Sequence, residues 1–508
     1  MKNNIKIIFI IIAGILIAWI IFQFQSSIIN FKKTISDESV EIIENIEDKI
    51  YIKIYLEGKL SEGLKELQTK CIELIEELNQ YSTHKIEYVL INPSESESKE
   101  KNEGYYLQLL ESGMNPIWVK NETDTDIYFP AATISYRENS LNTQLFNNES
   151  FYDTIDATLD EVESSIQNLE YNIISTIYKI TNKRKTIAFI QGNGELDSNG
   201  VHSISNTINE FYDVEHFDIT KFTDSINANS VQEKINSMKK YTAIIIAKPT
   251  ITFQNTDLLL LDQYLMNGGK ILWVVDGTNS HLNNFNGTYS FPIQNNNLNL
   301  NNLFSSYGFK VNSDLIQDKN CRYIPLETPK GIQYYKWPYH LKIFNKNKHT
   351  ITLGIDTVVS EFTSSITLTD SNISSTSLLY SSTESHLDLE GQYVELSVIN
   401  NGINEQKFQN KNHIISAVLE GVFKSPFNSN VIQLKKESPE TKMIIISDGD
   451  IIENRIKAPN FLFELGFDPL ERKIFNGNTN FILNSVQYLC GDENLIKIRN
   501  KTKMKNEK

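Results

Sequence analysis

Cysteine is nearly absent: Cys71, Cys321 and Cys490 are the only three in 508 residues. They lie far apart and form no CxxC pair, which excludes a disulfide framework and a zinc centre built on thiolates. At most one bridge is left open, and a chain of this length buries enough surface to fold without it. Positive charge is also short, with 48 Lys and Arg against 63 Asp and Glu and a formal net charge of −15. A phosphate backbone demands an excess of Lys and Arg, so nucleic acid is excluded as a partner. The 8 histidines are scattered, with neither HExxH nor His-x-His. No GxSxG elbow and no Lys-Ser/Thr of a P-loop occurs. A nucleophile–base pair, a His- or Cys-based metal-ligand set and a complete cofactor fingerprint are therefore all missing at sequence level, and the expectation is no catalytic residue, no metal and no cofactor. With 40% hydrophobic and 22% charged residues the composition is that of a folded protein.

Long apolar runs are confined to one place. Residues 7–22, IIFIIIAGILIAWIIF, carry no polar side chain. With Gln23 and Phe24 the run reaches about 18 residues, near the lower limit for crossing a hydrocarbon core of roughly 30 Å. Lys2 and Lys6 precede it, Trp19 sits near its far end, and FQFQSSIINF offers no small-x-small cleavage site. The run predicts an uncleaved single-pass anchor in a bacterial inner membrane. Lys32 and Lys33 lie beyond it, but Lys2, Lys6 and the amino terminus sit tighter against the span, placing the body on the periplasmic side.

The rest reads as α/β in two parts. Residues 34–152 form a small α/β domain: a strand from Ile50 to Leu56, a helix with the stripe Leu64, Leu67, Cys71, Leu74 and Leu78, and a strand from Ile86 to Ile91. Glu66, Glu73, Glu76 and Glu77 are expected on the solvated side of that helix. Residues 153–185 form a long connecting helix and basic hinge, with Ile155, Leu159, Val162, Ile166, Leu169, Ile173, Ile177 and Ile180 at helical spacing. Such a stripe suits a coiled coil, or more simply packing on its own domain. Residues 186–508 alternate apolar strands (TIAFI, AIIIA, ILWVV, MIIIS) with amphipathic helices, the pattern of a doubly wound parallel sheet. A β-rich insertion is expected at about 283–436, and the tail IRNKTKMKNEK reads as solvated.

Ligands of such sheets gather at the carboxyl ends of the strands. Two candidates lie there. Gly192, Asn193, Gly194 and Glu195 form a βα turn where phosphates often bind, although the third glycine of a dinucleotide fingerprint is missing. Asp276, Ser447, Asp448 and Asp450 follow strand ends, and the acids have the oxygen chemistry of a Mg²⁺ site. Tight-turn and helix-cap roles explain the same residues more simply.

Several segments in order resemble one family. They are IYIKIYLEGKLSEGLKELQ from Ile50, INP at Ile91, IAFIQGNGELD from Ile187, YTAIIIAKPT from Tyr241 and LLDQYLMNGGKILWVVD from Leu260. LEGVFKSPF from Leu419, MIIISDGDIIENRI from Met443 and NTNFILNSVQYLC near the end complete the set. Together they are similar to the GldG family, auxiliary components of the ABC transporter of gliding motility in Bacteroidetes. The resemblance implies a flavodoxin-like or glutamine-amidotransferase-like α/β core outside the cytoplasm, in a substrate-binding or scaffold role. It implies an ABC permease subunit and a cytoplasmic ATPase subunit as partners, and no catalytic residue. Members commonly carry a second, C-terminal membrane helix. The competing class is a membrane-anchored α/β hydrolase-like enzyme using the acidic strand ends.

Overall fold

The computed structural model describes residues 33–120, 125–146, 159–222, 227–328, 330–344, 348–369, 373–396, 405–428, 433–457 and 461–501. The expected anchor and residues 153–158 lie outside them. Among the described residues no helix is long and apolar enough to cross a membrane. The chain divides into two units, Met1–Thr181 and Asn182–Lys508.

In the first unit the alternation IYIKI buries Ile50, Ile52 and Ile54 and exposes Tyr51, giving the strand Ile50–Ile54. It pairs in parallel with Ile86–Leu90, and the helix Glu62–Tyr81 connects the two. That helix buries Leu64, Leu67, Cys71, Ile75 and Leu78, so Ile75 takes the inward place expected of Leu74. A step of four from Cys71 keeps the stripe on one face, as a period of 3.6 requires. Glu77 also differs from expectation. It is buried, and its carboxylate accepts from the backbone N–H of Thr34 at 2.6 Å and of Ile35 at 3.2 Å. Ala131–Tyr136 adds antiparallel to the other side of the first strand and Asn139–Gln144 follows it, making a four-stranded sheet. The long helix Leu159–Thr181 buries Val162, Leu169, Ile173 and Ile177 against helix Glu62–Tyr81 and the outer strands. Its apolar stripe is used within its own unit.

The second unit contains five parallel strands: Thr186–Gln191, Asp213–Asp218, Ala243–Ala247, Ile271–Val274 and Thr441–Ile446. Their spatial order is second, first, third, fourth, fifth. Every residue of AIIIA and ILWV is buried, which requires cover on both faces. Two helix pairs provide it: Ala228–Met238 packs with Asn255–Met266, and His202–Asn209 packs with Gly477–Cys490.

The segment 283–436 is not wholly separate from this sheet. Ile414–Gly421 runs antiparallel along the fifth strand, with Ser416 opposite Ile446, and Phe309–Val311, Ile366–Leu368 and Ser374–Tyr380 extend the sheet to nine strands. Its run IISAVLEG is buried over most of its length, and only a sheet interior accommodates that. The remaining strands, including the hairpin of Cys321–Thr328 and Gly331–Phe344, close over a small core of Trp337, Tyr339, Phe291, Phe362 and Leu315. The stretch expected as a solvated tail starts inside a helix instead: Glu493–Arg499 buries Leu495, Ile496 and Ile498, and residues 502–508 lie outside the described residues. All three cysteines are free and buried.

Candidate functional site at the carboxyl edge of the sheet

The turn after the first strand sits where the order reverses between the first and third strands, the position at which open α/β sheets form their crevice. Gly192 and Gly194 adopt φ of 122° and 71°, which only glycine takes without strain. The turn is closed by its own chain. The N–H of Asn193 donates to Glu195 Oε2 at 2.7 Å, and Asn193 Nδ2 donates to Asp257 Oδ2 at 3.1 Å. The N–H groups of Thr250 and Ile251 both donate to the Asn193 carbonyl, at 3.1 and 2.9 Å. The Glu195 carboxylate therefore stands where an anionic ligand of this turn would sit. Burial pushes it up to about 7, against the pull of the two amides that donate to it. A phosphate arriving here would meet an occupied cradle and a like charge.

Two strands further along, Asp276 follows the fourth strand and Ser447, Asp448 and Asp450 follow the fifth. One carboxylate oxygen from each of Asp276, Asp448 and Asp450 lies within 4.8 Å of the others. Lys248, which follows the third strand, serves this group. Its ammonium donates to Asp450 Oδ1 at 2.6 Å and also pairs with Glu453. Its backbone is left-handed, φ 52°, with its N–H on the Val274 carbonyl at 2.8 Å. Such a conformation costs a non-glycine residue about 1 kcal/mol or more and persists where the surroundings fix it. Gly449 allows the approach, because a Cβ there would collide with the Lys248 methylenes.

Charge follows from this packing. Burial pushes Asp448 up to about 7, with Asp276 adding to the rise, and it raises Asp450 and Asp276 as well. Burial alone would lower Lys248, but Asp450, Asp276 and Glu453 outweigh it and hold it above its usual value. Asp448 is nonetheless well served: its oxygens accept from Asp450 N at 2.7 Å, Glu361 N at 2.9 Å and Thr363 Oγ1 at 2.6 Å. The loop supplying the last two is bent at Phe362, φ 52°. Behind it Glu361 accepts from Arg322 at 2.7 Å and from Arg455. Burial would raise Glu361, but His340, Arg322 and Arg455 hold it well below the usual carboxylate range. Burial in turn pushes His340 down to about 4.

The structure thus brings Asp276 and Asp448 together, with Ser447 beside Asp448, at the ends of the fourth and fifth strands, while the turn Gly192–Glu195 stands at the end of the first. Ser447 is no nucleophile in this arrangement. Its hydroxyl is fully buried and contacts two backbone carbonyls, Ser364 O at 2.7 Å and Ile415 O at 2.9 Å. The acids offer oxygens at metal-ligand spacing, but Lys248 already supplies the cation. Lys248, Glu361 and Thr363 were not singled out from sequence. The Lys-Pro pair closing AIIIA was the one visible sign of Lys248.

Residues 184–485, more than half of the 508-residue chain, match the family described as an ABC-type uncharacterized transport system. The chain belongs to this family. As a member of the ABC-type transport-system family it is an auxiliary component of ABC transport, and both the sheet and the strand-end cluster lie within the matched span. Residues 33–135 match a second family, described only as a domain of unknown function, DUF7088. No curated protein matches the chain. Among solved structures the "mmIFT52 N-terminal domain" is similar at 16% identity and a TM-score of 0.34, covering 60% of this chain and 97% of that one. A likeness at that level says nothing of function.

Proposed function

We propose that the chain is a non-catalytic, extracytoplasmic subunit of an ABC-type complex of the gliding-motility kind, working beside a permease and a cytoplasmic ATPase. One observation carries the non-catalytic part. Both positions at the carboxyl edge of the sheet that suit a reacting ligand are filled by the chain itself, the anion position by Glu195 and the cation position by Lys248. A site that performs phosphoryl or acyl transfer keeps those positions open for substrate, metal or nucleophile. The strand order second, first, third, fourth, fifth supports a flavodoxin-like core. The apolar run 7–22, flanked by Lys2 and Lys6, supports a single-pass inner-membrane anchor with the body in the periplasm. Protease added to intact spheroplasts tests the placement. Digestion of the body from outside is expected, and protection until lysis would overturn the periplasmic assignment.

A further inference from the structure

An open cavity of about 350 Å³ lies next to Asp276 at the end of the fourth strand, at the small end of the roughly 300–1,000 Å³ typical of ligand pockets. Its floor is apolar: Val275, Leu298, Leu300, Phe304 and Val311. Its rim is the segment Asn295–Asn301, NNNLNLN, within the stretch expected as a β-rich insertion. The backbone sorts this segment. Asn297 and Asn299 take left-handed φ of 41° and 65°, which Asn tolerates better than most residues. Leu298 and Leu300 turn into the core, while Asn297, Asn299 and Asn301 stay exposed around the opening.

Some of the amides hold the rim in shape. Asn295 Oδ1 accepts from Asn297 N at 2.6 Å, Asn296 Nδ2 donates to the Asp276 carbonyl at 3.2 Å, and Asn299 Nδ2 donates to the Phe253 carbonyl at 3.1 Å. The side-chain amides of Asn297 and Asn301, two of the lining residues, are exposed and have no partner among the described residues, which leaves their donors and acceptors available to a ligand. None of the lining residues is Lys, Arg or His. An anionic ligand would find no countercharge and would meet Asp276. A cationic ligand would find one carboxylate, already accepting from Gly449 N at 2.6 Å and raised by burial though facing Lys248. A neutral ligand dense in hydroxyl groups, with one apolar face, matches what remains: amides around the rim and hydrocarbon beneath.

We propose that this cavity is a binding site for neutral, polyhydroxylated ligands of the carbohydrate class, with the Asn297 and Asn301 amides meeting ring hydroxyls above the apolar floor. The site is a property of this chain alone and does not depend on which transporter subunits accompany it. The test is saturation-transfer NMR on the full chain, with maltotriose, xylotriose and N,N′-diacetylchitobiose as neutral probes and glucose 6-phosphate and spermidine as charged ones. At least one neutral saccharide should receive saturation, and the charged probes should receive none. Asn297→Asp with Asn301→Ala should weaken that binding by about tenfold or more, the loss expected for one or two hydrogen bonds. Asn302→Ala, adjacent but outside the cavity, should leave it unchanged. Both altered positions are exposed, so thermal unfolding should match the wild type and a loss of binding would not be a loss of fold. Silence from every neutral saccharide, stronger transfer to a charged probe, or binding indifferent to the double substitution would each overturn the proposal. None of these results bears on co-purification with a permease, so the two readings fail separately.

Discussion

Replacing Lys248 with Met removes the cation that pairs with Asp450 and Glu453 and faces Asp276, while keeping most of the side chain's volume. Breaking a buried ion pair from one side costs about 3–5 kcal/mol, because the abandoned charge stays buried. Here the carboxylates are partly wetted: the Lys248, Asp450 and Glu453 side chains are 20%, 26% and 35% exposed. Solvent screening of that degree reduces the expected loss to about 2 kcal/mol. In a unit as large as Asn182–Lys508 that lowers the melting temperature by roughly 3 °C. The deficit should depend on pH with a definite sign. Without Lys248 the folded-state values of Asp276 and Asp450 rise further above their unfolded values, so the folded chain binds more protons and the variant recovers as pH falls. Melting curves by circular dichroism should therefore diverge most near about pH 8 and converge toward about pH 5. Millimolar Mg²⁺ or Ca²⁺ should stabilise the variant, since the three carboxylate oxygens then lack their cation. The wild type should ignore both ions. A variant as stable as wild type at high pH, or a wild type stabilised by divalent ions, would refute the assignment of Lys248 as the built-in cation.

Two further substitutions probe other parts of the account. Glu195 is raised to about 7 when folded, so it holds a proton that the unfolded chain has lost, and its contribution to stability falls as pH rises from about 4.5 to 7. Glu195→Gln keeps an acceptor for Asn193 N and should remove that fall; urea titrations should show a gain of about 1–3 kcal/mol at high pH and no difference near pH 4, and an unchanged pH slope would count against it. In the first unit, Glu77→Ala leaves the Thr34 and Ile35 amides without their carboxylate. Hydrogen exchange at residues 34 and 35 should accelerate with a stability loss of about 1–3 kcal/mol, and unchanged protection would show that the carboxylate does not hold the segment.

How far the sequence revealed the fold depended on whether a pattern was local. AIIIA, ILWVV and MIIIS could be read as buried parallel strands because a sheet covered on both faces needs unbroken apolar runs. The period of helix Glu62–Tyr81 was equally visible. Ile414–Gly421 was harder to place: its pairing with Thr441–Ile446 is antiparallel and crosses a polar stretch, so composition alone assigned it to an insertion. Asn139–Gln144 left almost no signal, since an edge strand carrying Ser, Asn and Thr has little to bury. The candidate site shows the same limit. The acids after the strand ends were evident, but Lys248 lies 202 residues from Asp450 and was joined to it only by the fold. Nothing in GNGE announces that its fourth residue fills its own anion position. That follows from the turn's conformation.

Purification of the full chain from detergent-solubilised native membranes, followed by mass spectrometry and an ATPase assay, tests the auxiliary role most directly. An ABC permease and an ATPase subunit should travel with the chain in fixed proportion, with ATP turnover belonging to the assembly and absent from the chain alone. A chain that elutes without either subunit, and hydrolyses substrate by itself in a manner abolished by Asp448→Ala, would contradict it.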